Sequence, residues 1–205
     1  MTPTDVRRAA AAMLETLQPR AGADWSVQAG DLDWDCRTTL GHVAHAIDRY
    51  ALYLAGPATA RLPFQMAHHP ECSAADLLQI TDLRAAALCQ IAVAASPETR
   101  GFHVFGNPDP EGYIAMGCIE ILVHTDDIAR GLGTTFTPPA DVTRAMLARL
   151  FPWAPTDTDS WATLQWATGR IDLPGHARVA PDWAWHASPL AEWDGTVKTR
   201  ASYQK

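Results

Sequence analysis

The sequence predicts a mainly all-α protein, an antiparallel four-helix bundle carrying a short tryptophan-rich C-terminal extension. Three observations lead there. Apolar residues recur at helical spacing through four long segments before residue 135, Pro or Gly punctuates the gaps, and alternating strand patterns are confined to short pieces. At 205 residues, 47% of them hydrophobic, the chain is long enough for one sizeable core and too short for two full domains.

The first helix is expected from about Asp5 to Gln18, with Val6, Ala9, Ala10, Met13 and Leu17 on one face and Pro19 as its stop. The second starts near Thr38 or Thr39 and ends at Gly56-Pro57, with Leu40, Val43, Ile47, Ala51 and Leu54 facing the core. Ser73 opens the third with capping-box spacing to Asp76, and the pattern runs to about Ala95. A loop follows, whose centre Phe102-His103-Val104-Phe105 reads as a short extended piece. Asp109 caps the fourth helix, Pro110 takes its first position, and Gly131 or Gly133 ends it.

Beyond Pro138-Pro139 the pattern loosens. A fifth helix is expected over Val142–Leu150 and a sixth from Ser160 to Thr168, followed by extended pieces near Val179 and Trp183. Six of the eight tryptophans lie between Trp153 and Trp193. The division expected is a bundle over 1–152 and an extension over 153–205, packed on it as a lid or as part of the same domain.

Composition excludes several classes. A formal net charge of −7 with no basic run argues against a nucleic-acid partner. No run approaches the roughly 18 consecutive apolar residues of a membrane span, and the N-terminus lacks a secretion signal, so a cytoplasmic location is expected. Cys36, Cys72, Cys89 and Cys118 are widely separated and read as free thiols.

The fourth helix carries the chemistry. At about 100° per residue, Glu120, His124 and Asp127 fall within about 60° of one another. Ile114, Met116, Ile119, Ile121, Leu122, Val123, Ile128 and Leu132 cover most of the remaining circumference. A helix apolar nearly all round is buried, and an unpaired carboxylate inside it costs several kcal/mol. A metal or a hydrogen-bonded polar network would supply the missing partner. Spacing alone decides nothing, since 8 histidines and 23 acidic residues give about one acid-x-x-x-His match by chance.

On the second helix His42, His45 and Arg49 form a stripe opposite the apolar face. A solvated surface explains that stripe; a ligand role for His42 requires this helix to be covered on both sides. Two weaker constellations are the loop cluster His68, His69 and Cys72, and His103 just ahead of the fourth helix.

Two segments together, WDCRTTLGHVAHAIDRY (Trp34–Tyr50) and AMGCIEILVHTDDIARGLG (Ala115–Gly133), resemble the DinB-like superfamily. The likeness is in particular to the mycothiol-dependent maleylpyruvate isomerase family of actinobacteria. It covers about residues 5–135, with ATGRIDLPG (Ala167–Gly175) similar to the start of that family's C-terminal domain. The remaining chain is too short for a full one. The resemblance implies a divalent metal held by His42, Glu120 and His124, zinc foremost, with nickel, iron or manganese as other occupants. Asp127 matches the acidic residue after the second histidine.

Two histidines and one carboxylate leave open coordination positions, the mark of a catalytic site. The expected activity is a thiol S-transferase or isomerase. Its thiolate, from mycothiol or another low-molecular-weight thiol, attacks a small electrophile. Asp127 orients a ligand histidine, and His45 and Arg49 steady an anionic substrate, with Arg84 a weaker candidate. The alternatives are a metal-dependent hydrolase using activated water and a non-catalytic metal- or ligand-binding protein. Partners are a small electrophile and a thiol, with no membrane or nucleic acid, and a homodimer is left open.

Overall fold

A computed structural model describes residues 1–203 apart from 65, 66, 68 and 70. Six α-helices account for its regular structure: α1 (Pro3–Leu17), α2 (Cys36–Ala55), α3 (Ala74–Ala94), α4 (Pro110–Gly131), α5 (Ala140–Leu150) and α6 (Ser160–Ala167). Among the described residues there are no strands, only isolated bridges pairing Gln28 with Asp35, His103 with Gly106 and Trp183 with Thr199. The extended pieces expected near Phe102–Phe105 and Trp183 thus reduce to single bridges.

Capping chemistry sets the helix starts. Pro3 occupies the first turn of α1, where a missing N–H costs nothing, so the helix begins two residues before Asp5. The Asp5 carboxylate instead accepts the Thr2 N–H at 2.8 Å. Asp35 accepts the Thr38 N–H at 2.6 Å, which moves the start of α2 back to Cys36. Ser73 and Asp76 form the expected capping box on α3. On α4, Asp109 accepts from Gly112 N–H at 2.8 Å.

Two helix ends share one geometry. Gly133, at φ +65°, lets Thr134 N–H reach back to Ala129 O at 2.8 Å and closes α4. Gly169, at φ +75°, lets Arg170 N–H reach Gln165 O at 2.8 Å and closes α6. Gly131 serves close approach instead: a Cβ there would lie 2.3 Å from the Gln28 carbonyl oxygen.

α1 packs against α3 and α4, and α2 packs against the same two, so α1 and α2 stand at opposite corners of the group. α5 rests on α4 and carries α6. The buried apolar cluster is continuous from Val6 through Ala187 and includes Trp166 and Trp185 of the C-terminal segment. By length and composition alone α3 is apolar enough to cross a membrane, with a mean hydropathy of 1.3. It packs instead between α1 and α2, its Asp82 bound by Arg7 at 2.7 Å and its Arg84 bound to Asp48 at 2.8 Å.

Candidate metal centre

α4 is buried on nearly every face, and its polar stripe points toward α2 and the C-terminal segment. Glu120 Oε2 lies 3.3 Å from His42 Nε2 and 3.5 Å from His124 Nε2. One donor atom from each of the three residues falls within 4.8 Å of the others, so this group could hold a metal ion. With bonds of about 2.1 Å, the edge of a tetrahedral site is about 3.4 Å, and both carboxylate–imidazole separations match it. Among the described residues no other His, Cys, Asp or Glu group has such a geometry.

The donor set fits a cation for a second reason. Among the described residues no arginine or lysine pairs with Glu120; its partners are two imidazoles and the Tyr50 hydroxyl, which donates to Oε1 at 2.9 Å. Tyr50 therefore occupies one carboxylate oxygen and leaves the other to face the histidines. Burial would raise the Glu120 pKa, but the hydrogen bond and charge of His42, the charge of His124 and the Tyr50 hydroxyl bring it down to about 2. Burial likewise works against a proton on His42, yet the Glu120 carboxylate outweighs it and raises that pKa.

Behind His124 the environment changes. Its Nδ1 donates to Asp127 Oδ2 at 2.9 Å, which fixes the tautomer and leaves Nε2 to face Glu120. Asp127 is fully buried and is itself held by Arg170 through bonds of 2.6 and 3.1 Å and by Arg130 at 3.0 Å. Burial opposes its charge, but His124 and Arg170 bring its pKa to about 2. The glycine turn that ends α6 is what delivers Arg170 to this point.

Two clefts meet at the ligand set. The first, about 490 Å³, is lined by all three candidate ligands and by Trp34, Trp183 and Trp185. The Trp34 ring lies 5.0 Å from the His42 ring. α2 is covered on its apolar side by α3 and α4, while on its His42 side the Trp34 ring gives only partial cover and the His42 side chain stays 37% exposed. The second cleft, about 350 Å³, shares His42 and Glu120 with the first and adds His45, Arg49, Arg61, Tyr53 and His103.

His45 and Arg49 touch each other at 2.8 Å and line this second cleft only. Asp127 lines neither, because it stands behind His124. Arg84 is also remote, engaged with Asp48 between α2 and α3. Of the weaker cluster, His68 lies outside the described residues, His69 Nδ1 accepts from Glu71 N–H at 3.3 Å, and Cys72 points to the Ser73 carbonyl. The four cysteines are free, and burial pushes the Cys36 thiol up to about 11, away from any nucleophilic role.

Sequence reasoning missed Tyr50, Arg130 and Arg170. Tyr50 lies eight residues after His42, about 80° around the same helix, a placement compatible with a shared site. For Arg170 the only local signal is the Thr-Gly-Arg turn at the end of a helix. No family model matches the chain, and neither a curated protein nor a solved structure does.

Proposed function

We propose that this protein is a divalent-metal-dependent thiol S-transferase or isomerase of the DinB-like kind, acting on a small electrophile. The observation carrying this reading is the matched pair of carboxylate–imidazole distances, 3.3 and 3.5 Å, at the junction of two clefts. The ring of contacts among α1 to α4 and the two resemblant segments support the family assignment. His42, Glu120 and His124 would hold the metal, zinc foremost. Bound there, it supplies a cation that favours the thiolate of a coordinated thiol, mycothiol foremost, near neutral pH.

The chain's own residues do the rest. Asp127 holds His124 in the tautomer that presents Nε2 to the site, and Tyr50 turns the Glu120 carboxylate toward the two imidazoles. Trp34, Trp183 and Trp185 wall the first cleft with apolar rings, which limits water around the thiol. Arg49 and His45 lie across the shared ligands, where they would steady an anionic portion of the electrophile.

The test is turnover of monochlorobimane by zinc-loaded and metal-stripped protein, with and without mycothiol. The reading expects product above the uncatalysed rate only when both metal and thiol are present. Turnover needing metal but no thiol would overturn it in favour of activated water. Stoichiometric metal binding with no turnover of any electrophile or ester would overturn it in favour of a binding protein.

A further inference from the structure

The loop between α3 and α4 holds a histidine that the metal site does not use. His103 N–H donates to Gly106 O at 2.9 Å and Gly106 N–H to His103 O at 3.1 Å, a tight turn that Gly106 permits at φ +130°. A Cβ on Gly106 would come within 2.6 Å of Ser188 Oγ, so the turn is pressed against the C-terminal segment. The imidazole stacks on Trp185 at 5.5 Å and 21°, and Tyr50 and Phe105 meet it at 6.0 and 5.2 Å. Three aromatic neighbours leave the ring little freedom.

Its protonation state follows from its partners. Nδ1 accepts the Phe105 N–H at 3.2 Å, so a neutral ring carries its proton on Nε2. Burial lowers the pKa to about 4, a shift that the nearby Glu120 charge opposes and the Arg49 charge favours. No described residue accepts a hydrogen bond from Nε2, while the ring lines the second cleft together with Glu120, Arg49 and Arg61. Neither arginine has a carboxylate partner among the described residues. Beside the Glu120 carboxylate, which belongs to the candidate metal set, the cleft therefore combines a fixed neutral donor with two cations, and these favour negative charge developing on an oxygen atom.

We infer that His103 is a hydrogen-bond donor to an acceptor oxygen of the electrophile, and that the second cleft is where the electrophile binds. This rests on the thiol-transfer reading and assigns the two co-substrates to opposite sides of the His42–Glu120 pair. A carbonyl-activated alkene fits that arrangement. The thiolate sulfur bonds to the alkene carbon β to the carbonyl, and the π pair shifts onto the carbonyl oxygen, which accepts from His103 Nε2–H. The carbon next to the carbonyl then takes a proton from water, restoring the carbonyl, and the hydroxide left behind is neutralised by the proton the thiol released on forming the thiolate.

Two variants and two electrophiles test this. His103→Phe keeps a ring against Trp185 without the donor; His103→Gln keeps an N–H. With zinc-loaded protein and mycothiol, His103→Phe should lower kcat/KM for 2-cyclohexen-1-one about 100-fold, the scale of losing one oxyanion donor. It should change kcat/KM for benzyl chloride, which has no carbonyl, by less than about threefold, since that transition state leaves no oxyanion for a donor to stabilise. His103→Gln should restore most of the loss. Equal effects on both electrophiles, or none on either, would overturn the inference.

A second readout is independent of turnover. Cyclohexanone, an unreactive probe, should shift the His103 Nε2 resonance in nitrogen-15 NMR of the wild type. If neither electrophile is turned over but the probe still shifts that resonance, the thiol-transfer reading fails and the donor assignment stands. An unmoved resonance overturns the donor assignment.

Discussion

Glu120 and Asp127 stand two turns apart on one helix, the first half-buried and the second fully buried, yet the regions around them are built differently. Asp127 is enclosed by permanent charge: Arg170 and Arg130 bind it, and His124 donates to it. Among the described residues Glu120 has no guanidinium or ammonium partner; two imidazoles and a tyrosine hydroxyl surround it. The first region is complete without any addition and acts as a rigid support. The second presents three donor atoms that could hold a metal ion, and it opens on both clefts. The lesson is that a carboxylate held by guanidinium groups acts as a support, whereas one faced by imidazoles without a guanidinium partner signals a site.

The sharpest way to break this contrast is Glu120→Gln. Amide nitrogen and oxygen are poor zinc donors, so the metal carried through gel filtration should fall from about one per chain to below about a tenth, measured by plasma emission. Unchanged metal content would place the ion elsewhere.

Asp127→Asn tests the supporting region and has two expected effects. Metal affinity should weaken by about 10–100-fold, as when an orienting partner of a ligand histidine is lost. The fold should lose about 3 kcal/mol by urea denaturation, because the half-buried Arg170 is left without its buried carboxylate. The pH dependence has a definite sign. Asp127 titrates near 2 when folded, against about 4 in an unfolded chain. Its contribution is therefore fully present above about pH 4 and is lost as pH falls toward 2. The acid-side slope of stability should be shallower in Asp127→Asn than in the wild type.

A smaller effect separates bound from free protein. Zinc at about 100 times its dissociation constant should stabilise the fold by about 2.7 kcal/mol, a rise in Tm of about 5–10 °C for a chain of this size. His42→Ala should abolish that rise. The smallest effect is expected at the second cleft: His45→Ala should leave metal content within about twofold while raising KM for the electrophile, since its contact is with Arg49 and not with the ligand set. Loss of metal in His45→Ala would make His45 part of the ligand set.

Much of the helical frame was legible because capping is local. Ser73 with Asp76, Asp109 before Pro110, and the glycine after α4 each act within a few residues. The starts of α1 and α2 were misjudged by two residues or so, where Pro3 and Asp35 proved to be the first-turn and cap residues. The Glu120–His124–Asp127 stripe was legible because charge on an apolar helix is conspicuous. Its partners were not. Tyr50 lies 70 residues from Glu120 and Arg170 lies 43 from Asp127, and no local pattern links either pair. His45 and Arg49 shared a stripe with His42, but only the folded chain shows that they face a different cleft. The tryptophans divide in the structure: Trp166 packs into the core, Trp34 and Trp183 line the first cleft, and Trp185 does both.

X-ray absorption at the zinc edge, on protein loaded with one equivalent, tests the central claim most directly. The account predicts two imidazole nitrogens and one carboxylate oxygen at about 2.0–2.2 Å, with the imidazole scattering halved in His124→Ala. A sulfur shell near 2.3 Å, or a spectrum unchanged by that substitution, would contradict it.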